Sequence, residues 1–171
     1  MYNIYFASPW FTKAQEEREE RLKKKLRDLG FDVFSPKEAS NISGVTVNDN
    51  IKEDVFNKNI ENIDRADIIF AVTDGKIGIC TEPDKNGSPL NAIDAGTMIE
   101  AGYAYNSRKH TGKPYIVYYA ETLGNNKFNL MLSQSGDIVI TDYEDVDNLP
   151  AIIDDLVNNK STSYKYKGII E

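Results

Sequence analysis

The sequence predicts a doubly wound α/β fold: a parallel five-stranded sheet with helices on both faces. Three observations carry that expectation. Stretches of strand and helix character alternate along the chain, which is how parallel sheets are built, because each crossover carries a helix back over the sheet. Asp67 to Thr73 (Asp-Ile-Ile-Phe-Ala-Val-Thr) is a nearly unbroken apolar run, the pattern of a strand covered on both faces. The 171 residues suit a single domain, 1–171, with ample length for a core and a polar, tyrosine-rich tail over 158–171.

In chain order, residues 2–7 are aromatic and β-branched and read as the opening strand, broken by Ser8-Pro9. Thr12 begins a charged helix to about Leu29, with Leu22, Leu26 and Leu29 on its buried side and Gly30 as its stop. Its charge run from Glu16 to Lys25 is read as a solvated face. A short strand over 31–34 follows, then a polar, irregular loop over 35–49. The next helix runs from about Asn50 to Arg65, with Val55, Phe56, Asn59, Ile60 and Ile63 as its inner stripe. Asn59 in that stripe is either a satisfied core amide or a pocket wall. The apolar strand ends at Thr73, and a Gly- and Pro-studded loop from Asp74 to about Ile93 delivers the chain to a helix opened by Asp94. Strands over 113–119 and 137–140 enclose a short helix near 129–132, and a helix over 149–157 closes the domain. Ligands of such sheets gather at the carboxyl ends of strands, here Ser8–Phe11, Asp74 onward and the link after Tyr119.

Composition narrows the function. Asp and Glu (27) outnumber Lys and Arg (20), and a net charge of -7 repels polyanions, so no nucleic-acid partner is expected. The single cysteine, Cys80, excludes a disulfide framework. No apolar run reaches membrane-span length and the N-terminus lacks a signal-peptide pattern, so no membrane partner and a cytoplasmic location are expected. Neither GxGxxG nor GxxxxGK[ST] is present, the lone His110 lies in a polar turn, and the acidic clusters lack calcium-loop spacing. No cofactor and no metal are expected.

What remains is carboxylate chemistry. Asp94 to Tyr105 reads as a helix of small apolar residues, Ala95, Met98, Ile99, Ala101, Gly102 and Ala104, with Asp94 as N-cap. Glu100 falls within it. Either the helix turns Glu100 to solvent, or Glu100 lies in a pocket as a reactive carboxylate, for which the small neighbours leave space. Glu100, Asp94 and Asp74, with the Tyr5 phenol, are the equipment for breaking a bond at an anomeric carbon without a metal.

Four stretches together resemble the nucleoside 2'-deoxyribosyltransferases: Ile4-Tyr5-Phe6-Ala7-Ser8-Pro9-Trp10-Phe11, Asn62-Ile63 with Ala66-Asp67, Asp94-x5-Glu100-Ala101-Gly102-Tyr103-Ala104, and Asn129-Leu130-Met131. The resemblance spans nearly the whole chain and implies a flavodoxin-like fold and base exchange on 2'-deoxyribonucleosides by a retaining double displacement, within nucleoside salvage. By it, Glu100 matches the nucleophile, Tyr5 the tyrosine that holds it, and Asp94 an aspartate of the base pocket that Phe11 lines. Asn129 matches an asparagine lent by a neighbouring subunit to bind the sugar 5'-hydroxyl, with Met131 beside it. The resemblance therefore implies deoxyribonucleosides and free nucleobases as partners, and a homo-oligomer with shared sites, a hexamer built as a trimer of dimers.

One position departs from the family pattern. An aspartate that helps protonate the leaving base usually stands eight residues before the one that opens the next strand. Here that place, counted back from Asp67, is Asn59, and an amide is no general acid. Asp94, water or the tail carboxylate of Glu171 must then supply the proton, or rate and base preference change. Two rivals stay open: a 2'-deoxynucleoside 5'-monophosphate N-glycosidase, using Ser8 or Ser133 and Ser135 for phosphate, and a flavodoxin-like binding module without catalysis.

Overall fold

A computed structural model describes residues 1–40, 48–73, 93–121, 128–158, 165–168 and 170. Five parallel strands form one sheet in the order β2-β1-β3-β4-β5: β1 (Asn3–Ala7), β2 (Asp32–Phe34), β3 (Ile68–Val72), β4 (Tyr115–Tyr119) and β5 (Ile138–Ile140). The helices are α1 (Lys13–Asp28), α2 (Pro36–Ser40), α3 (Asp49–Arg65), α4 (Ala95–Thr111), α5 (Leu130–Ser135) and α6 (Leu149–Val157), the last preceded by a 3₁₀ turn over Glu144–Asn148. The predicted doubly wound, flavodoxin-like architecture is the one observed.

Period-two alternation in the strands divides the core in two. Ile4 and Phe6 of β1 point to one face, where Leu22 and Leu26 of α1 meet Leu149 and Ile153 of α6. Tyr5 and Ala7 point to the other, against Ile63 of α3 and Ala101 and Ala104 of α4. All five residues of β3 are buried, as its apolar run demands. From β1 the chain passes to β2 on one side and later to β3 on the other. Such a reversal opens a crevice at the carboxyl ends of the two strands, the usual place for a ligand in this class of sheet.

Local chemistry sets the helix ends. Thr12 and Gln15 form a reciprocal capping box on α1. Asn48, Asp94 and Asn129 cap α3, α4 and α5 through their side chains. Gly112 ends α4 at φ 83°, a left-handed conformation suited to glycine.

Three sequence readings need correction. The stretch after β2 is not wholly irregular, since α2 begins at Pro36, where a missing N–H costs nothing. Nor is the charge run of α1 a simple solvated face. Arg18, Glu19 and Lys23 are buried, and Lys23 Nζ lies 3.3 Å from Glu19, 2.9 Å from Glu20 and 2.8 Å from Glu38 of α2. These hydrogen bonds and charges keep the Lys23 ammonium raised despite its burial. Finally, the inner stripe of α3 is shorter than expected. Ile63 is buried, Val55, Asn59 and Ile60 are half-buried, and Phe56 is 58% exposed, so of the predicted stripe only Ile63 is fully in the core.

Candidate active site

The sheet supplies the phenol and α4 the carboxylate. Tyr5 is fully buried in the middle of β1, in register with Phe34 of β2 and Ile69 of β3. Its ring stacks on Phe34 at 5.5 Å between centroids. From there its hydroxyl donates to Glu100 Oε1 at 2.6 Å, across 95 residues of chain. Helix α4 lays Thr97, Ala101 and Ala104 against the sheet at i, i+4 and i+7. This places Glu100 on the helix flank, half-buried. Glu100 stands between the two orientations left open by the sequence, half-buried, with Tyr5 as its partner.

Burial raises the Glu100 carboxyl, the Tyr5 hydrogen bond opposes the rise, and the Asp94 charge adds to it, for a result of about 7. The Tyr5 phenol is raised well above its ordinary value, by burial first and then by the Glu100 charge, so it stays a proton donor. A carboxyl poised near neutrality and held by a fixed donor can act as a nucleophile or as a proton carrier.

Asp94 sits one residue before α4, with Oδ2 accepting from the Thr97 backbone N–H at 2.7 Å and from Thr97 Oγ1 at 3.0 Å. The structure therefore brings Tyr5, Glu100 and Asp94 into one electrostatic group. Phe11 lies beyond the carboxyl end of β1, 62% exposed and stacked on Trp10 at 6.0 Å. Asn59 is half-buried on α3. Asp74 and Glu171 lie outside the described residues.

Asn129 and Met131 stand apart from this group. Asn129 Oδ1 accepts from the Met131 backbone N–H at 2.9 Å as the cap of α5, and Met131 is 74% exposed. Both line a cavity of about 460 Å³ between α4 and α5, with Met98, Gly102, Tyr105 and Leu132 among its other walls. Neither Glu100 nor Tyr5 lines that cavity. Within one chain, Asn129 makes no hydrogen bond to Glu100.

Other quoted residues are structural. Ile63 and Ala66 are core, and Asp67 accepts from the Asn3 backbone N–H at 3.0 Å and pairs with Lys113 at 3.2 Å. Sequence reasoning missed Thr97 and Phe34. The Asp-x-x-Thr spacing at a helix start could have flagged the first; nothing local distinguishes the second. Among the described residues, no cluster of three or more His, Cys, Asp or Glu is placed to hold a metal, and no helix is long and apolar enough to cross a membrane.

Known proteins share the fold. Among curated proteins none matches the chain. Among solved structures it is similar to the 2-deoxyribosyltransferase of the psychrotolerant bacterium Bacillus psychrosaccharolyticus, at 28% identity over 88% of this chain and 95% of that one, with a TM-score of 0.66. It shares its fold with a conserved protein from Enterococcus faecalis V583, at 21% identity over 88% of this chain and 75% of that one, TM-score 0.53. It also shares its fold with the 2-desoxiribosyltransferase from Leishmania mexicana, at 15% identity over 90% and 98% of the two chains, TM-score 0.50. The nucleoside 2-deoxyribosyltransferase family matches residues 4–149, nearly the full sheet with the Tyr5–Glu100 pair inside it, and the chain belongs to that family.

Proposed function

We propose that this protein exchanges purine and pyrimidine bases on 2'-deoxyribonucleosides by a retaining double displacement, with Glu100 as nucleophile. The observation that supports this best is the 2.6 Å hydrogen bond from buried Tyr5 to Glu100. In the first step a Glu100 carboxylate oxygen attacks the anomeric carbon while the glycosidic bond breaks and the base leaves with the bonding pair. The sugar is then held as an ester of Glu100. In the second step a ring nitrogen of an incoming base attacks from the vacated face, the base gives up a proton to the group that protonated the departing base, and Glu100 leaves as the carboxylate. Two inversions give net retention. The Tyr5 hydroxyl, donating to Oε1, leaves Oε2 for attack and eases departure of the carboxylate in the second step.

Asn59 cannot protonate the departing base. Asp94, water or the Glu171 carboxylate takes that part, with Asp94, Phe11, Asn59 and Asp74 around the base. Asn129 and Met131 serve the site of a neighbouring copy of the chain within a homo-oligomer, a trimer of dimers. Their exposure, and that of Leu130 and Ile99, supports this, because monomeric proteins rarely leave such side chains open together. The enzyme acts in the cytoplasm on free nucleosides.

The monophosphate-hydrolase reading finds less support. Ser133 Oγ donates to the Leu130 carbonyl at 2.8 Å, Ser135 Oγ pairs with Tyr118 at 2.9 Å, and Ser8 is buried. These hydroxyls are occupied within the protein.

Incubation with thymidine and adenine tests the reading. Deoxyadenosine formed without added phosphate, and lost in Glu100→Ala, is the expected result. Free deoxyribose alone would make the protein a hydrolase. Turnover of deoxynucleoside monophosphates only would favour the N-glycosidase. No product from any of them would leave a binding module.

A further inference from the structure

We propose that Thr97 is the positioning residue of the base pocket, dividing the two oxygens of Asp94 between the helix and the ligand. This rests on Asp94 facing the base, as proposed above, and adds how its carboxylate is aimed. An N-cap aspartate needs one backbone donor, and that bond alone leaves the carboxylate free to rock. Here the Thr97 hydroxyl adds a second donor to the same oxygen, at 3.0 Å beside the backbone bond of 2.7 Å. Thr97 is itself 2% exposed and locked against the sheet, so its hydroxyl is a fixed point rather than a mobile surface group. Gly96 leaves room for the same oxygen, since a Cβ at that position would stand 3.1 Å from Asp94 Oδ2. Any side chain there presses the carboxylate out of its place.

Oδ1 makes no hydrogen bond among the described residues. It is an acceptor held in one orientation, and its complement on a base is an N–H: a ring N–H or an exocyclic amino group such as those of adenine and cytosine. With Asn59 in place of an acid, this directed acceptor sets how the base is seated.

The experiment is steady-state base exchange from thymidine to adenine with wild type, Thr97→Val, Thr97→Ser and Gly96→Ala. Thr97→Val keeps the shape and deletes the donor, and KM for adenine is expected to rise about tenfold, the usual scale for a hydrogen bond to a charged group, with a smaller change in kcat. Thr97→Ser keeps the hydroxyl and returns KM to within about twofold of wild type, well inside the value of one such bond. Gly96→Ala crowds Asp94 Oδ2 while favouring the helix, and a rise in its KM for adenine with an unchanged unfolding midpoint is the expected result; an unchanged KM counts against the assignment. An unchanged KM in Thr97→Val, or a Thr97→Ser protein as impaired as Thr97→Val, overturns the assignment while leaving the exchange activity standing. A wild type that exchanges no base on any deoxyribonucleoside removes the reading of the pocket, and the Thr97 assignment falls with it.

Discussion

Glu100→Gln should make this protein more stable at alkaline pH and leave its stability unchanged in acid. The folded protein raises Glu100 from its ordinary 4.5 to about 7, chiefly through burial. Below pH 4.5 the group is protonated in both folded and unfolded chains and contributes no difference. Between these values the folded state keeps the proton and the unfolded state has lost it, so stability falls by about 1.4 kcal/mol for each pH unit. The accumulated cost above the folded value is about 3 kcal/mol. Glutamine cannot ionise, yet its amide oxygen still accepts from Tyr5, so it escapes the cost without abandoning the hydrogen bond. Urea unfolding of both proteins at pH 4 and pH 8.5 measures it. The curves should converge in acid and separate by about 3 kcal/mol in alkali, or about 10 °C in Tm for a chain of this size. The other carboxylates are common to both proteins and cancel in the difference. Parallel stability profiles would show that Glu100 titrates as an exposed acid, and the case for a poised carboxyl would be lost.

Tyr5→Phe removes the donor that opposes the rise of Glu100, so the increase in exchange rate with pH should shift to higher pH by about one unit, with the fractional loss at its full, roughly tenfold size below pH 7 and fading above it. An identical pH–rate profile in the variant would refute it. Asn59→Asp restores a titratable group at the half-buried position on α3 and should alter the pH profile or the preference among bases; if both are untouched, Asn59 is not in the base site. Lys23→Ala leaves Glu19 buried beside a missing cation and should cost about 3 kcal/mol of unfolding free energy with little effect on turnover. Denaturation and kinetics on one preparation separate the two effects. Inactive Glu100→Ala and Asn129→Ala proteins, mixed after dissociation, should recover part of the wild-type rate if each site draws on two chains, and none if it does not.

The fold was legible because its signals are local and periodic. The β3 run and the Leu22 and Leu26 stripe meant what they seemed to mean. The strand over 67–73 came out as Ile68–Val72 and the helix at Asp94 as Ala95–Thr111. What escaped was set by tertiary contact. No pattern within α1 says that Glu38, 15 positions after Lys23, will arrive to neutralise a buried ammonium. Phe56 carries the right period for burial, but of that stripe only Ile63 is fully in the core. Tail residues Tyr166 and Ile170 return to Phe128, by a ring contact at 5.2 Å and a parallel bridge, a pairing that a polar tail does not announce. In the site, Tyr5 and Glu100 could be named by resemblance, while their bond at 2.6 Å and the second hold on Asp94 are matters of orientation.

Tyr5 is at once a core residue and the partner of the proposed nucleophile, and this divides the labour of motion. Its ring is buried between the sheet and the helices α3 and α4 and stacked on Phe34. The hydroxyl cannot follow Glu100 as the carboxylate moves toward a sugar and back. With Thr97, Ala101 and Ala104 of α4 buried against the sheet, adjustment falls on the Glu100 side chain, on the half-buried flank of the helix. The sheet is the anvil and the carboxylate the moving part. Amides of β1 should exchange with solvent only through global opening, whereas those of the first turns of α4 should exchange through smaller, local openings. A bound nucleoside, by bridging the two, should slow the second set and leave the first unchanged.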